Sequence, residues 1–358
     1  RQKSATITVE DEVRNEDTDK DVTLEVNVVE MVDPNKDSTD VDADHTKQPY
    51  LRYSFESDAT SVKTAKDTGA DSHFMTTVPD DAYDDNPAAT STETVDVTKI
   101  VASAKCEDMK FWSPDSPNLY DVYTVLKDSE GNVLDVQKTT TGFRKVEYDI
   151  NDGGLKINDQ PVWLTGYAQR STNEWAVIGV ANDWLQDLDM QWIKESNSNF
   201  IRWMHVAPKP SQIRSGDKYG VVSACPAGDK EADVDGRAWD QRVEAMRDAM
   251  IYFRNSPSVI FWETGNNAVT AAHQQEMTDL KNTLDPNGER FCGCRTISST
   301  DQIQAADYVG TMLNRHASNA KASMAAIKKY VPIMETEYAR EEAPRRVWDD
   351  FSPPDYDY

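Results

Sequence analysis

Between residues 20 and 30 apolar and polar side chains alternate, with Val22, Leu24, Val26 and Val28 separated by Thr23, Glu25 and Asn27. A period of two is the pattern of a strand with one buried face. The same grammar returns at residues 123–126 and 133–137, which flank the polar run Asp128-Ser129-Glu130-Gly131-Asn132 as the arms of a hairpin flank its turn. Residues 1–148 are therefore predicted to form an immunoglobulin-like β-sandwich. Two stretches within it, 33–49 and 63–94, are rich in Asp, Thr, Ser, Ala and Pro without periodicity, and read as long loops because strand-like sequence resumes after each.

After about residue 150 the pattern changes to apolar runs separated by helical stretches. Strands are expected at 161–166, 200–206, 220–225, 258–264, 291–298, 308–313 and 332–338. The clearest helix covers 237–255, where Trp239, Val243, Met246, Met250 and Phe253 recur at three- and four-residue steps. A second is expected after Asp183 as N-cap, with Leu185, Leu188 and Trp192 on one side, and a third after Asn319. Repeated strand and helix point to a parallel (β/α)8 TIM barrel over 149–358 rather than an open doubly wound sheet, and no Gly-rich phosphate loop follows the first strand. Seven strands are legible where a barrel needs eight, so the chain is expected to be truncated before the eighth.

Composition narrows the partners. The 358 residues carry 63 Asp and Glu against 38 Lys and Arg, a formal charge of -25. A phosphate-backbone binder of this charge would repel its own ligand, so no nucleic-acid partner is expected, and an anionic membrane surface is an equally poor fit. The longest apolar runs, such as Ser258-Val259-Ile260-Phe261-Trp262, fall far short of the roughly 20 residues that span a bilayer, so no membrane insertion is expected. Residues 1–150 hold 33 acids and 16 bases, so the excess sits mostly in the sandwich region and reads as solvated loop surface. Asp17, Asp19 and Asp21, and again Asp40, Asp42 and Asp44, alternate as calcium ligands do, but lack the following Gly and distal Glu of a calcium loop; no metal is expected. The four cysteines are too scattered for a disulfide framework, and Cys292 and Cys294, on one face of a strand, read as buried thiols.

In such a barrel the reactive groups lie at the carboxyl ends of strands. There the sequence offers Glu335 and Glu337 on the seventh strand, Glu263 followed by Asn266 and Asn267 on the fourth, and Arg202 with His205 on the second. Carboxylates on opposite strands, with arginine, histidine and tryptophan nearby, are the ingredients of glycoside hydrolysis: two acids to cleave the bond and flat rings for sugar faces. The alternative is a buried carboxylate paired to Arg202 or Arg295 for structural reasons.

Phe111-Trp112-Ser113-Pro114-Asp115-Ser116-Pro117-Asn118-Leu119-Tyr120, with the motifs that follow it in order, resembles glycoside hydrolase family 2, the β-galactosidase and β-glucuronidase family, and is similar to that family's signature near the end of its immunoglobulin-like domain. Gly142-Phe143-Arg144-Lys145 and Leu155-Lys156-Ile157-Asn158-Asp159-Gln160-Pro161-Val162-Trp163-Leu164-Thr165-Gly166 resemble its passage into the barrel. Asn199-Phe200-Ile201-Arg202 with His205, Arg254-Asn255-Ser256-Pro257 before the fourth strand, and Thr336-Glu337-Tyr338 resemble the strand motifs that carry the site.

The resemblance implies a retaining exo-β-glycosidase with no required cofactor and an oligosaccharide as substrate. Glu337 would be the nucleophile, Asn266 would hold the sugar 2-hydroxyl, Arg202 and His205 would orient nucleophile and sugar, and Tyr308 would donate a hydrogen bond to the nucleophile. The family's acid/base position holds Asn267, and an amide cannot donate and retake a proton. Three explanations compete: Glu263 or another nearby carboxylate takes over, which would need the strand to bend near Gly265; the residue was substituted to trap substrate; or the chain is a non-catalytic carbohydrate-binding relative. The runs 166–175 and 225–231 resemble the subgroup of β-galactosidases that trim agar and porphyran oligosaccharides, with Glu174 and Trp175 as loop residues lining a sugar subsite, and β-glucuronidase or β-mannosidase specificity is the alternative. A bacterial periplasmic or secreted location is expected, and a homo-oligomer is compatible with the sequence.

Overall fold

The computed structural model describes residues 4–31, 50–64, 97–149, 151–152, 154–170, 182–228, 232–267, 269–295, 299–311 and 332–335. The chain divides into two compact units, 1–111 with 118–143, and 112–117 with 144–358. The change of unit before Arg144 lies ahead of the 148/149 division expected from sequence, and the segment Trp112–Pro117 goes with the second unit.

The strands in the first part of the chain are β1 (Ala5–Val13), β2 (Lys20–Glu30), β3 (Tyr50–Glu56), β4 (Thr60–Val62), β5 (Thr98–Cys106), the short pair β6 (Trp112–Ser113) and β7 (Ser116–Pro117), then β8 (Tyr120–Asp128) and β9 (Val133–Thr141). In the first unit β1 pairs antiparallel with β5, and a second sheet runs β3-β2-β8-β9 with β4 also on β2. The alternation in β2 does what it predicts: Val22, Leu24, Val26 and Val28 are all buried, against Ile7, Ile100, Ala102, Tyr120 and Val122. Full burial of each such side chain stabilises by about 1.5–3 kcal/mol, which fixes the register of the central strand. The predicted hairpin is β8-β9, closed by Asp128, whose Oδ1 accepts from the N–H groups of Glu130 and Asn132 at 2.9 and 2.8 Å while Gly131 takes φ of 85°.

The second unit opens with the antiparallel strands β10 (Val146–Asp149), β11 (Gly154–Ile157) and β12 (Gln160–Pro161). Seven parallel strands then follow in sequential order: β13 (Gly166–Arg170), β14 (Phe200–Met204), β15 (Val222–Pro226), β16 (Val259–Glu263), β17 (Phe291–Cys294), β18 (Tyr308–Thr311) and β19 (Ile333–Glu335). Helices α1 (Asp183–Glu195), α2 (Pro210–Tyr219), α3 (Arg237–Phe253), α4 (Ala271–Leu284) and α5 (Thr300–Ala305) alternate with them. Ile201, Trp203, Cys225, Val259, Trp262, Cys292 and Cys294 pack outward against Met190, Ile213, Trp239, Met246, Met250 and Met277 of the helices, which makes one buried sheet–helix layer. All four cysteines are free and buried, and burial raises the Cys292 thiol to about 12, so it stays protonated.

Two expectations need correction. The first barrel strand is Gly166–Arg170, not 161–166; Pro161 instead closes the small sheet opposite Lys156. Gly166 permits the strand to lie against β14, because a Cβ there would sit 1.7 Å from the Phe200 carbonyl oxygen. Helix α1 starts after Asn182 rather than Asp183, and buries Gln186, Met190 and Ile193 while Trp192 is exposed. The helix expected after Asn319 lies outside the described residues.

Buried polar groups tie the second unit together. The Arg144 guanidinium donates to the carbonyls of Pro257 (2.6 Å) and Val259 (3.0 Å), just before and within β16, and to that of Gly288 (3.1 Å), ahead of β17. Trp112, fully buried, donates its indole N–H to the Asp217 carbonyl at 2.8 Å. The Asp217 carboxylate accepts from the Ser258 N–H at 3.0 Å, and burial raises its pKa to about 6 despite that bond. With the folded pKa above the ordinary 3.8, the protonated form is favoured in the native state, so its contribution is complete below about pH 4 and is lost as pH rises through 6. Replacing Asp217 by Asn should narrow this: the stability of wild type relative to Asp217→Asn is expected to fall by about 3 kcal/mol between pH 4 and 7, at 1.36 kcal/mol per pKa unit. Urea titrations at the two pH values measure it, and a pH-independent difference would refute the assignment.

Candidate functional site

The parallel strands present a lumen face through alternation. On β14 that face carries Phe200 and Arg202, while Ile201 and Trp203 enter the helix layer; on β16 it carries Phe261 and Glu263, while Trp262 turns outward. Phe261 packs on Phe200, Phe291 and Tyr308, with ring centroids 6.1, 5.5 and 5.3 Å away. An aromatic layer therefore underlies the charged groups one register step above it, and lowers the dielectric around them.

There Arg202 and Glu263, each 1% exposed, form a bidentate pair: Nε donates to Oε2 at 2.7 Å and one terminal nitrogen to Oε1 at 2.6 Å. The same terminal nitrogen donates to Asn266 Oδ1 at 2.9 Å. An extended chain would separate residues three apart by about 10 Å. Glu263 and Asn266 instead meet on one guanidinium, because β16 ends at Glu263 and residues 264–267 curl over it. Both Glu263 oxygens are occupied by the fork of Arg202, which leaves neither aimed at a leaving group; this is the paired arrangement that sequence reasoning weighed against a catalytic role.

The curled segment is gripped from β17. The N–H of Arg295 donates to the Gly265 carbonyl at 3.2 Å, its Nε to the Asn266 carbonyl, and a terminal nitrogen to Asn267 Oδ1 at 2.7 Å. The Cys294 thiol donates to the carbonyls of Gly265 and Asn267 at 3.2 and 2.8 Å. Asn267, at the expected acid/base position, is thus a fixed acceptor for a buried arginine. Sequence reasoning named Arg295 only as a structural partner; the signal for more was its place just past β17 on the lumen side with Phe291 and Gly293.

Tyr308 is fully buried on β18, opposite Gly293 of β17. Burial first and the Glu263 charge second push its hydroxyl well above the ordinary phenol range, so it is a neutral donor, and it has no hydrogen-bond partner among the described residues. His205, just past β14, is also buried. The structure therefore brings Arg202 of β14 together with Glu263, Asn266 and Asn267 at the carboxyl end of β16, while Tyr308, the first residue of β18, is level with Glu263 through Gly293 of β17. Glu337, Glu174 and Trp175 lie outside the described residues.

Comparison with known proteins gives this geometry a context. Residues 12–144 match the model of glycosyl hydrolases family 2, and residues 148–345 match the TIM barrel domain of the same family. The chain is 35% identical over 263 residues to a protein of Formosa agariphila named beta-glucuronidase, covering 73% of this chain and 26% of that protein. It is 28% identical over 188 residues to a beta-galactosidase of Photobacterium profundum, covering 49% of this chain and 18% of that one. A solved beta-glucuronidase of glycoside hydrolase family 2 superposes with a TM-score of 0.73 at 28% identity, over 99% of this chain and 31% of its own. The chain thus spans about a quarter of the Formosa relative's length and about a fifth of the Photobacterium one's. With a β-sandwich followed by parallel strands and helices, and with both family models matched in order, the chain belongs to glycoside hydrolase family 2.

Proposed function

We propose that the protein is a retaining exo-β-glycosidase that releases terminal β-galactosyl units from galactan-derived oligosaccharides of the agar or porphyran type. The observation that carries a glycosidase reading is the Arg202 guanidinium of β14, held by Glu263 at the carboxyl end of β16 and by Asn266 just beyond it. That arrangement preorganises a cation and an amide where a sugar and its attacking carboxylate would meet.

In this reading Glu337 attacks the anomeric carbon while the glycosidic C–O bond breaks and the departing oxygen takes a proton; water then cleaves the glycosyl-enzyme as a base removes its proton. Asn266 holds the 2-hydroxyl, His205 and Arg202 orient the reacting groups, and the Tyr308 hydroxyl donates to Glu337. Glu263, with both oxygens committed, serves as the anchor of Arg202. The proton donor is then another carboxylate near the site, and Glu174 and Trp175, in the loop after β13, line the subsite. A β-glucuronide substrate is the second reading, favoured by the name of the Formosa relative.

Turnover of aryl β-galactosides and aryl β-glucuronides by the full-length protein chooses between the two. Glu337→Gln is expected to lower kcat by about four orders of magnitude, and a 2-fluoro-glycosyl inactivator should leave its adduct on Glu337. Saturable sugar binding without turnover or adduct would instead identify a non-catalytic carbohydrate-binding relative.

A further inference from the structure

The loops that follow β15 and β16 are joined by one carboxylate. Asp233, three residues before the Gly236 N-cap of α3, accepts from the N–H of Thr270 in the second loop through Oδ2 at 2.8 Å, and its Oδ1 lies 2.9 Å from His273 Nδ1. Thr270 is the N-cap of α4, and its side chain accepts from the His273 N–H at 3.2 Å. In an ordinary capping box the residue at the third helical position returns the favour and accepts from the cap's own N–H. That position is His273 here, and the cap's N–H is satisfied instead by a residue 37 positions earlier in the chain. A task that local sequence could perform is performed across two loops.

The surroundings make the link stiff. The His273 ring stacks on Trp239 of α3, with centroids 3.8 Å apart and planes 11° from parallel, and the Trp239 indole donates to Glu276 at 2.7 Å. Arg242 donates to the Ala232 carbonyl at 3.1 Å, which secures the residue before Asp233 to α3. From the other side Gln302 of α5 donates to the Val269 carbonyl. Val269 in turn packs against Gly265, where an added Cβ would stand 3.0 Å from its Cγ1. A shift at Thr270 therefore reaches Gly265 and its neighbours Asn266 and Asn267 without slack.

We propose that Asp233 is a positioning residue that latches the loop after β15 to the loop after β16 and thereby holds Asn266 and Asn267 in register for the sugar. Its bearing on catalysis rests on the glycosidase reading above; the latch itself does not. The full-length protein tests both. Asp233→Ala should speed amide exchange across residues 264–273 and raise KM by about tenfold with kcat changed less than about twofold, the scale of one or two hydrogen bonds to a charged group. Asp233→Asn, which can accept from Thr270 and donate to His273, should restore both. Adding His273→Glu to Asp233→Ala supplies a local capping box: exchange at the start of α4 should recover while KM stays raised.

If that double variant restores KM, Asp233 is only a helix cap and the proposal fails. It also fails if Asp233→Ala alters exchange but not KM, or KM but not exchange. If the wild type turns over no glycoside, the glycosidase reading falls and the exchange measurements alone decide the latch: faster exchange over 264–273 in Asp233→Ala upholds it, and unchanged exchange removes it.

Discussion

Arg202→Met is expected to lower the stability of the protein by about 3–5 kcal/mol, because it strands the Glu263 carboxylate, 1% exposed, without its partner. The cost arises from the charge left behind more than from the bond removed. Replacing both residues, Arg202→Met with Glu263→Leu, should therefore recover most of the loss, since an apolar pair over the aromatic layer of Phe200, Phe261 and Phe291 leaves no charge to solvate. Activity should not return with stability, because Asn266 loses the donor that fixes its Oδ1. Thermal unfolding and turnover of the single and double variants separate the two effects. A double variant as unstable as Arg202→Met would mean that the pair matters for its geometry rather than for its charge.

Gly293→Ala carries the second large effect. A Cβ at this position would stand 2.4 Å from the Tyr308 carbonyl oxygen and 2.6 Å from its ring, and a backbone atom cannot rotate away as a side chain can. Overpacking of this kind costs about 1–3 kcal/mol and sometimes more. The functional cost is expected to be larger in proportion. β17 stands between β16 and β18, so separating β17 from β18 moves the Tyr308 hydroxyl relative to Glu263, and a misplacement near 1 Å costs about 100-fold in rate. A variant that keeps turnover within about threefold of wild type would remove Tyr308 from the proposed machinery, since that figure lies far inside the same misplacement scale.

The sequence was readable wherever one periodicity had one interpretation. β2 shows a strict alternation and buries it, and the stripe on α3 that begins at Trp239 and ends at Phe253 faces the sheet as its spacing requires. α1 has apolar residues on two sides: Leu185, Leu188 and Trp192 form one stripe, yet the helix buries Gln186, Met190 and Ile193. Periodicity states that a face exists and not which of two competing faces a neighbour will cover. β13 escaped for the opposite reason. Gly-Tyr-Ala-Gln-Arg contains no apolar run, since close approach to β14 asks for a small residue and Gln169 is occupied with Asp189.

At the site, the residue types at strand ends were legible, and so was the possibility of a buried carboxylate paired to Arg202. The shared and backbone partners were not. That Glu263 and Asn266 share a guanidinium, and that Arg295 and Cys294 hold the Asn267 segment, depends on how four residues curl after a strand ends. No spacing rule encodes a curl whose hydrogen bonds come from another strand.

The Trp112 hairpin has a consequence for anyone who would cut this protein into parts. The unit that holds the parallel sheet is discontinuous in the gene: it consists of residues 144–358 together with six residues borrowed from the middle of the sandwich sequence. A fragment beginning at Arg144 would retain the Asp217 carbonyl, the Asn158 amide and the Lys194 ammonium, and would lack Trp112 and Pro114, to which all three are bonded. Its socket for a buried indole would stand open. The sandwich sequence is thus also a supplier of barrel parts, and the smallest continuous piece able to carry the complete second unit must begin no later than Trp112.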